Sequence, residues 1–151
     1  MTSVEYKIPV SVLVLIHTPD AKILLLERAD RPGFWQSVTG SQDDIDEPLS
    51  QTAHREVGEE TGIDCSDYAL LDWQQHHAYE IFPHWRSRYA PGVTHNTEHV
   101  FSLQLPHIQP VRLAPREHLQ YQWVPARQAA KMCFSSTNAN VILQWLEKNG
   151  I

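Results

Sequence analysis

At 151 residues and 42% apolar composition, the chain (residues 1–151) has the length of one domain and enough apolar material for a real core, which excludes a disordered segment. A formal net charge of -6 and a pI of about 5.8 argue against bulk nucleic-acid binding; they suit an enzyme that borrows positive charge from a metal ion. Cys65 and Cys133 lack metal-type spacing and read as packing residues of a reduced, cytoplasmic protein, and neither a signal peptide nor a membrane-spanning segment is expected.

Val10 to Ile16 is a nearly continuous apolar run and reads as a buried strand, with Pro9 at its start. Pro19-Asp20 marks a turn and Ile23 to Leu26 a second strand, so the two are expected to form a hairpin. Lys7 and Arg28 flank it as solvated tips or as phosphate contacts. Arg31-Pro32-Gly33 is a loop, and the adjacent Phe34 and Trp35 are expected to pack into the core.

The segment Gly40–Ile63 turns helical in its second half. Pro48 suits a first helical turn, Asp46 or Glu47 supplies negative charge there, and Gly62 suits a left-handed C-cap. Leu49, Ala53 and Val57 recur every four residues and form an apolar stripe. On the remaining surface Glu56, Glu59 and Glu60 stand three and four positions apart, near the helix end whose dipole disfavours anions. Such a cluster is either a solvated acidic face or a set of hard oxygen ligands for Mg²⁺ or Mn²⁺. Arg55 is in i,i+4 reach of Glu59.

Tyr68 to Trp73 reads as strand and continues toward Glu80-Ile81-Phe82. The run from His84 to Gly92 interleaves Arg86 and Arg88 with Trp85 and Tyr89, a pattern for a mobile surface loop with one anchored Trp or for gripping a phosphate beside a flat ring. Val93 to Leu105 is a long strand. A proline-rich connection, Pro106 to Pro115, leads to Glu117-His118 and a short strand, Tyr121 to Val124. Helices are expected from Pro125 through Met132 and from Asn138 to Lys148. The histidines show no zinc spacing and read as structural, with His118 beside Glu117 the exception; His76 and His77 point to opposite faces of a strand. Strands dominate, with one helix mid-chain and two at the end, an order that fits a mixed α+β sandwich.

Arg55-Glu56-Val57-Gly58-Glu59-Glu60-Thr61-Gly62-Ile63 resembles the second half of the signature of the Nudix hydrolases, residue for residue. Glu47 stands at the required spacing before Arg55, but six residues rather than five separate it from Gly40, and Asp46 takes the five-residue spacing. Either the loop has gained a residue or Asp46 replaces the usual Glu. Outside this box the chain is similar to the bacterial dihydroneopterin triphosphate diphosphatases. The resemblance rests on Phe34 to Ser41, Arg88 to Thr94, Asn96-Thr97-Glu98 and Glu117-His118-Leu119.

That resemblance implies a monomeric, Mg²⁺-dependent pyrophosphohydrolase of a small triphosphate in folate synthesis, without nucleic-acid or membrane partners. It carries metal ligation to Glu56, Glu60 and Glu117, catalysis to Glu56, Glu59 and Glu117, and substrate contact to Lys7, Arg28, Thr39, Tyr79, Glu80, Ile81, Phe82 and Ser135. Glu80 is expected to read the ring edge. The alternatives are a general nucleoside triphosphate pyrophosphohydrolase preferring dATP, and a non-catalytic Nudix-like sensing domain, which usually lacks box carboxylates.

Overall fold

The computed structural model describes residues 5–150. Strand β1 (Val10–His17) is its axis. Its apolar run is buried because both of its edges and both of its faces are covered. β6 (His95–Gln104) runs parallel along its whole length, from Val10 opposite Thr97 to His17 opposite Gln104. On the other edge β4 (Val38–Ser41) pairs antiparallel, from Ser11 opposite Ser41 to Val14 opposite Val38. β5 (Leu70–Glu80) extends the sheet beyond β6.

The expected hairpin forms, with β1 and the next strand antiparallel across the turn at Thr18 to Lys22, but it is short. β2 (Lys22–Arg28) meets β1 only at His17 opposite Ile23. β4 occupies that edge of β1 from Ser11 to Val14, so β2 diverges and pairs instead with β3 (Trp35–Gln36) and β7 (His118–Pro125). The separation leaves a cleft beside β4 that the functional side chains line.

Alternation along β1 sends successive residues to opposite layers. Val12, Val14 and Ile16 pack with Ala53 and Val57 of α1 (Leu49–Thr61). Leu13 and Leu15 pack with Ala129 of α2 (Ala126–Met132) and with Val141, Ile142 and Trp145 of α3 (Ser136–Lys148). Burial of each large apolar side chain contributes about 1.5–3 kcal/mol, and both layers are continuous, so the mixed sheet sits between helices as the residue pattern predicts. α1 ends where Gly62 adopts φ 74° and its N–H bonds the Gly58 carbonyl. Among the described residues no helix is long and apolar enough to cross a membrane. Cys65 and Cys133 are free thiols packed against the two core layers.

Two further expectations change. Phe34 is not a core residue: it stacks on Phe134 at 4.8 Å between ring centroids, at the mouth of the cleft, while Trp35 packs inward. The His84 to Gly92 run is not a mobile loop, because its first part is a 3-10 turn (Pro83–Arg88) pinned from several sides. Trp85 Nε1 and Arg88 Nη2 donate to Asp30 Oδ2 at 3.0 and 2.8 Å, and Arg86 Nε donates to the Ile81 carbonyl at 3.0 Å.

His17 closes β1 against Trp145, ring centroids 4.6 Å apart, with its Nδ1 buried and unpartnered. Burial pushes its pKa from 6.5 down to about 4, partly offset by a hydrogen bond with the Thr18 backbone. Between those values the unfolded chain binds the proton and the folded one does not, so stability falls as pH drops from 6.5 toward 4. Replacing His17 with Gln should remove on the order of 2–3 kcal/mol of that pH dependence, read by urea unfolding at the two ends of the window. An unchanged pH dependence would contradict the assignment.

Candidate active site

Helix α1 turns Glu56 and Glu60 toward the cleft. Glu60 is 2% exposed, and Glu56 passes beneath β4 at Gly40, where a Cβ would stand 1.9 Å from the Glu56 carboxyl carbon. The two carboxyl groups are hydrogen-bonded to each other. Burial, followed by the bond to Glu56 and the charge of Glu56, holds Glu60 well above the usual carboxyl range. Burial also raises Glu56, while its bonds with Glu60 and Arg55 oppose the rise. His118 Nε2 lies 3.5 Å from Glu60 Oε1, too far to satisfy it, and that oxygen is buried without a hydrogen-bond partner. Burial pushes His118 down to about 4, which leaves the ring neutral beside the pair.

Arg55 organises the acidic segment. Its Nε and Nη2 donate to Glu47 at 3.1 and 3.0 Å, its Nη1 to Glu56 at 2.7 Å, and its Nη2 also to the Ser41 carbonyl at 2.9 Å. Thr52 Oγ1 adds a bond to Glu47 at 2.6 Å. These donors, Arg55 first, hold the Glu47 carboxyl down at about 2. Asp46 is exposed and its own N–H bonds Asp44. Glu47 therefore fills the first acidic position, and the extra residue is absorbed in the turn from Asp44 to Glu47, closed by a 3.0 Å backbone bond.

Glu59 does not join the pair. Its side chain is 56% exposed, outside the cavity, with Arg55 Nη1 at 3.5 Å. At 100° per residue, positions 56 and 60 lie 40° apart around the helix, whereas 59 and 60 lie 100° apart. Proximity in sequence placed Glu59 on the wrong side of Arg55.

Among the described residues no three His, Cys, Asp or Glu side chains converge into a finished metal shell. Glu56 and Glu60 nonetheless fit a cation: burial raises both carboxyl groups above their usual range, and Glu60 Oε1 is buried without a hydrogen-bond partner. Glu117, just before β7, lines the same cavity, and its charge adds to the rise of Glu60. A hard oxygen set of this kind fits a divalent cation.

From these carboxylates a cavity of about 780 Å³ runs across the sheet. Thr39, Ser11, Asn96, Glu98 and Tyr79, from four strands, form its polar floor. Arg28 and Lys7 also line the cavity. Arg28 is already engaged: it bonds both oxygens of Asp30 at 2.8 and 2.9 Å, reaches Gln36 Oε1 at 3.1 Å and stacks 4.2 Å from the Trp85 ring. Gln36 in turn bonds Thr39, which ties that side chain to the same chain of contacts. Lys7 is exposed along its stem, but its ammonium lies 5.9 Å from the Tyr89 ring. Desolvation there, and then the charges of Arg88 and Arg28, lower its pKa. Three cations around one cavity invite an anion.

Ser135 also lines the cavity, yet its hydroxyl caps α3, accepting from the Asn138 N–H, and meets Thr137 Oγ1 at 2.7 Å. In the Tyr79 to Phe82 run the residues part ways. Tyr79 faces the floor, its hydroxyl accepting from Asn96 at 3.1 Å, Ile81 is buried, and Phe82 stands on the rim against Trp85 and Phe134. Glu80 also lines the cavity, but as the strand neighbour of Tyr79 it does so from the rim, its side chain 68% exposed and paired with Arg86 rather than set on the floor.

Reading the residues in sequence missed the anchoring role of Asp30, which gathers Arg28, Arg88 and Trp85, and it missed the floor position of Asn96 and Glu98. The only available signal for the latter was their place in the Asn96-Thr97-Glu98 resemblance. Nothing local distinguishes Asp30 from an ordinary turn residue.

The sequence matches the NUDIX domain over residues 7–145. It is 47% identical over 144 residues to the dihydroneopterin triphosphate diphosphatase of Escherichia coli, covering 93% of this chain and 94% of that one. The enzyme of the same name from Haemophilus influenzae is 43% identical over 146 residues, covering 94% and 90% of the two chains. The solved structure of the E. coli dihydroneopterin triphosphate pyrophosphohydrolase superposes with a TM-score of 0.88 at 46% identity, over 95% of this chain and 98% of that one.

Proposed function

The chain belongs to the NUDIX family, and from that premise we propose that it hydrolyses dihydroneopterin triphosphate to dihydroneopterin monophosphate and pyrophosphate. The observation that supports this reading best is one continuous cavity lined both by the buried Glu56–Glu60 carboxyl pair and by a polar, ring-sized floor. The near half-identity to enzymes of that name over almost the full chain supports the choice of substrate.

Glu56, Glu60 and Glu117 would hold a divalent cation, Mg²⁺ with Mn²⁺ as substitute. When bound, it supplies positive charge against the triphosphate and acidifies water in the site. The chain's own residues do the rest. Arg55 and Gly40 together fix the direction of the Glu56 carboxylate. Glu56 or Glu117 takes the proton from the attacking water, whose oxygen bonds to phosphorus as the bond to the departing pyrophosphate breaks. Lys7 and Thr39 meet the phosphates. Arg28, neutralised by Asp30, acts mainly by holding Trp85 at the mouth, and Ser135 offers what its capping duty leaves. Glu59, outside the cavity, has no part in this reading. The enzyme acts as a single-domain monomer in a reducing cytoplasm, without nucleic acid or membrane.

A substrate panel with product identification, run with and without Mg²⁺, tests the proposal. Dihydroneopterin triphosphate should give pyrophosphate in a metal-dependent reaction and should surpass dATP in kcat/KM. Release of orthophosphate, or a higher kcat/KM for dATP, would overturn it.

A further inference from the structure

Among the described residues, the polar groups on the cavity floor are not spread evenly; two of them are buried acceptors set side by side. Glu98 is 4% exposed on central strand β6. Strand register aligns it with Ser11 on one side and His77 on the other, and Ser11 with Ser41 beyond. His77 Nε2 lies 2.9 Å from Glu98 Oε1, the hydrogen bond that orients the carboxylate. Two positions away on the same face, Asn96 is 1% exposed. Its Nδ2 donates to Ser11 Oγ at 2.7 Å and to the Tyr79 hydroxyl at 3.1 Å. Those two bonds use both donors and fix the amide, which leaves its Oδ1 a buried acceptor without a partner.

A buried carboxylate and a buried orphan carbonyl cost free energy unless a ligand supplies donors. Both line the cavity that also holds Glu56 and Glu60. Glu98 lies two strands from β4, roughly 10 Å across the sheet from the Gly40 position where Glu56 enters. That separation suits a ligand with phosphates at one end and a ring at the other.

We infer that Glu98 and Asn96 read the donor edge of the fused ring, and that Glu98 is the residue that discriminates a 2-amino-4-oxo ring from adenine. The inference rests on the proposed pterin triphosphate activity. A 2-amino-4-oxo ring presents an amino group beside a ring N–H, two parallel donors that one carboxylate accepts together. Asn96 Oδ1 accepts a further N–H of the same ring. Adenine presents its amino group beside a ring acceptor, and that acceptor faces a carboxylate oxygen with no proton between them. Guanine shares the donor edge with the pterin.

Glu98→Gln tests this. The amide keeps the size and the acceptor facing His77, but it replaces one acceptor by a donor, so its edge now complements adenine. In steady-state assays with Mg²⁺, the ratio of kcat/KM for dihydroneopterin triphosphate to that for dATP should fall by about 10- to 100-fold, and the dGTP to dATP ratio should fall in the same direction. Measurable dATP turnover shows that the variant is folded. Ratios within about threefold of wild type, whatever the overall rate, would overturn the assignment. If the unmodified protein fails to hydrolyse dihydroneopterin triphosphate, the proposed substrate is wrong, and the dGTP to dATP ratio still decides the role of Glu98.

Discussion

Glu60→Gln should lower kcat by on the order of 10³-fold while leaving the metal-free protein as stable as wild type or more so. Glu60 is buried, and burial with the neighbouring Glu56 holds its carboxyl well above the usual range. Gln has the same shape, and its amide donates the same hydrogen bond to Glu56, so the fold loses no contact. A carboxyl whose folded pKa lies above its unfolded value binds a proton on folding. It therefore costs stability increasingly as pH rises past the unfolded value, 4.5, and Gln removes that cost. What Gln cannot do is become an anion when a divalent cation arrives. Mg²⁺ should raise the melting temperature of the wild type and leave that of the variant nearly unmoved, because ligand binding stabilises only the state that binds. Glu56→Gln should lose a comparable factor in kcat, with some loss of stability because Arg55 surrenders a charged partner at 2.7 Å. Near-normal Mg²⁺-dependent turnover in either variant would sink the ligand assignment for that residue.

A single methyl group at Gly40 should cost about 10²-fold in kcat, the scale expected when a catalytic group is displaced by about an ångström. The added Cβ would stand 1.9 Å from Cδ and 2.3 Å from Oε2 of Glu56. The backbone at Gly40 is ordinary extended strand, so alanine itself is unstrained there. The conflict is with the end of a flexible side chain, which can swing aside for about 0.5–1.5 kcal/mol of rotamer cost. Glu56 would then leave both Arg55 and Glu60. Gly40→Ala should accordingly keep a wild-type far-UV spectrum, with a modestly lowered melting temperature, while losing turnover. Full activity in a folded variant would mean that Glu56 does not need the path beneath Gly40.

The elements were legible because each rests on local periodicity. The stripe of Leu49, Ala53 and Val57, the continuous run of β1, and Gly62 after an acidic turn need only their neighbours to be interpreted. The acidic box was legible for the same reason, since Arg55, Glu56 and Glu60 lie within two helical turns. The hairpin was legible but its shortness was not, because the partner of a strand edge is a long-range matter: β4 competes for β1 from over twenty residues away. The place of Glu80 on the rim was not legible, because one step along a strand reverses the face, and only the register with β6 shows which face is the floor.

The residues by themselves determined a helix bearing carboxylates at the spacing for one face, an arginine to orient them and a fold able to bury both sides of a sheet; the reaction was implied by the family resemblance. Only the tertiary structure decided which members of that set act together. It separated Glu59 from Glu56 and Glu60, chose Glu47 over Asp46 through its bonds to Arg55 and Thr52, and assembled a floor from Ser11, Tyr79, Asn96 and Glu98. The physical reason is that ligand recognition depends on desolvation and on distances between strands. Neither is a property of neighbouring residues; both arise when β4, β1, β6 and β5 align side by side and bury the polar groups they share.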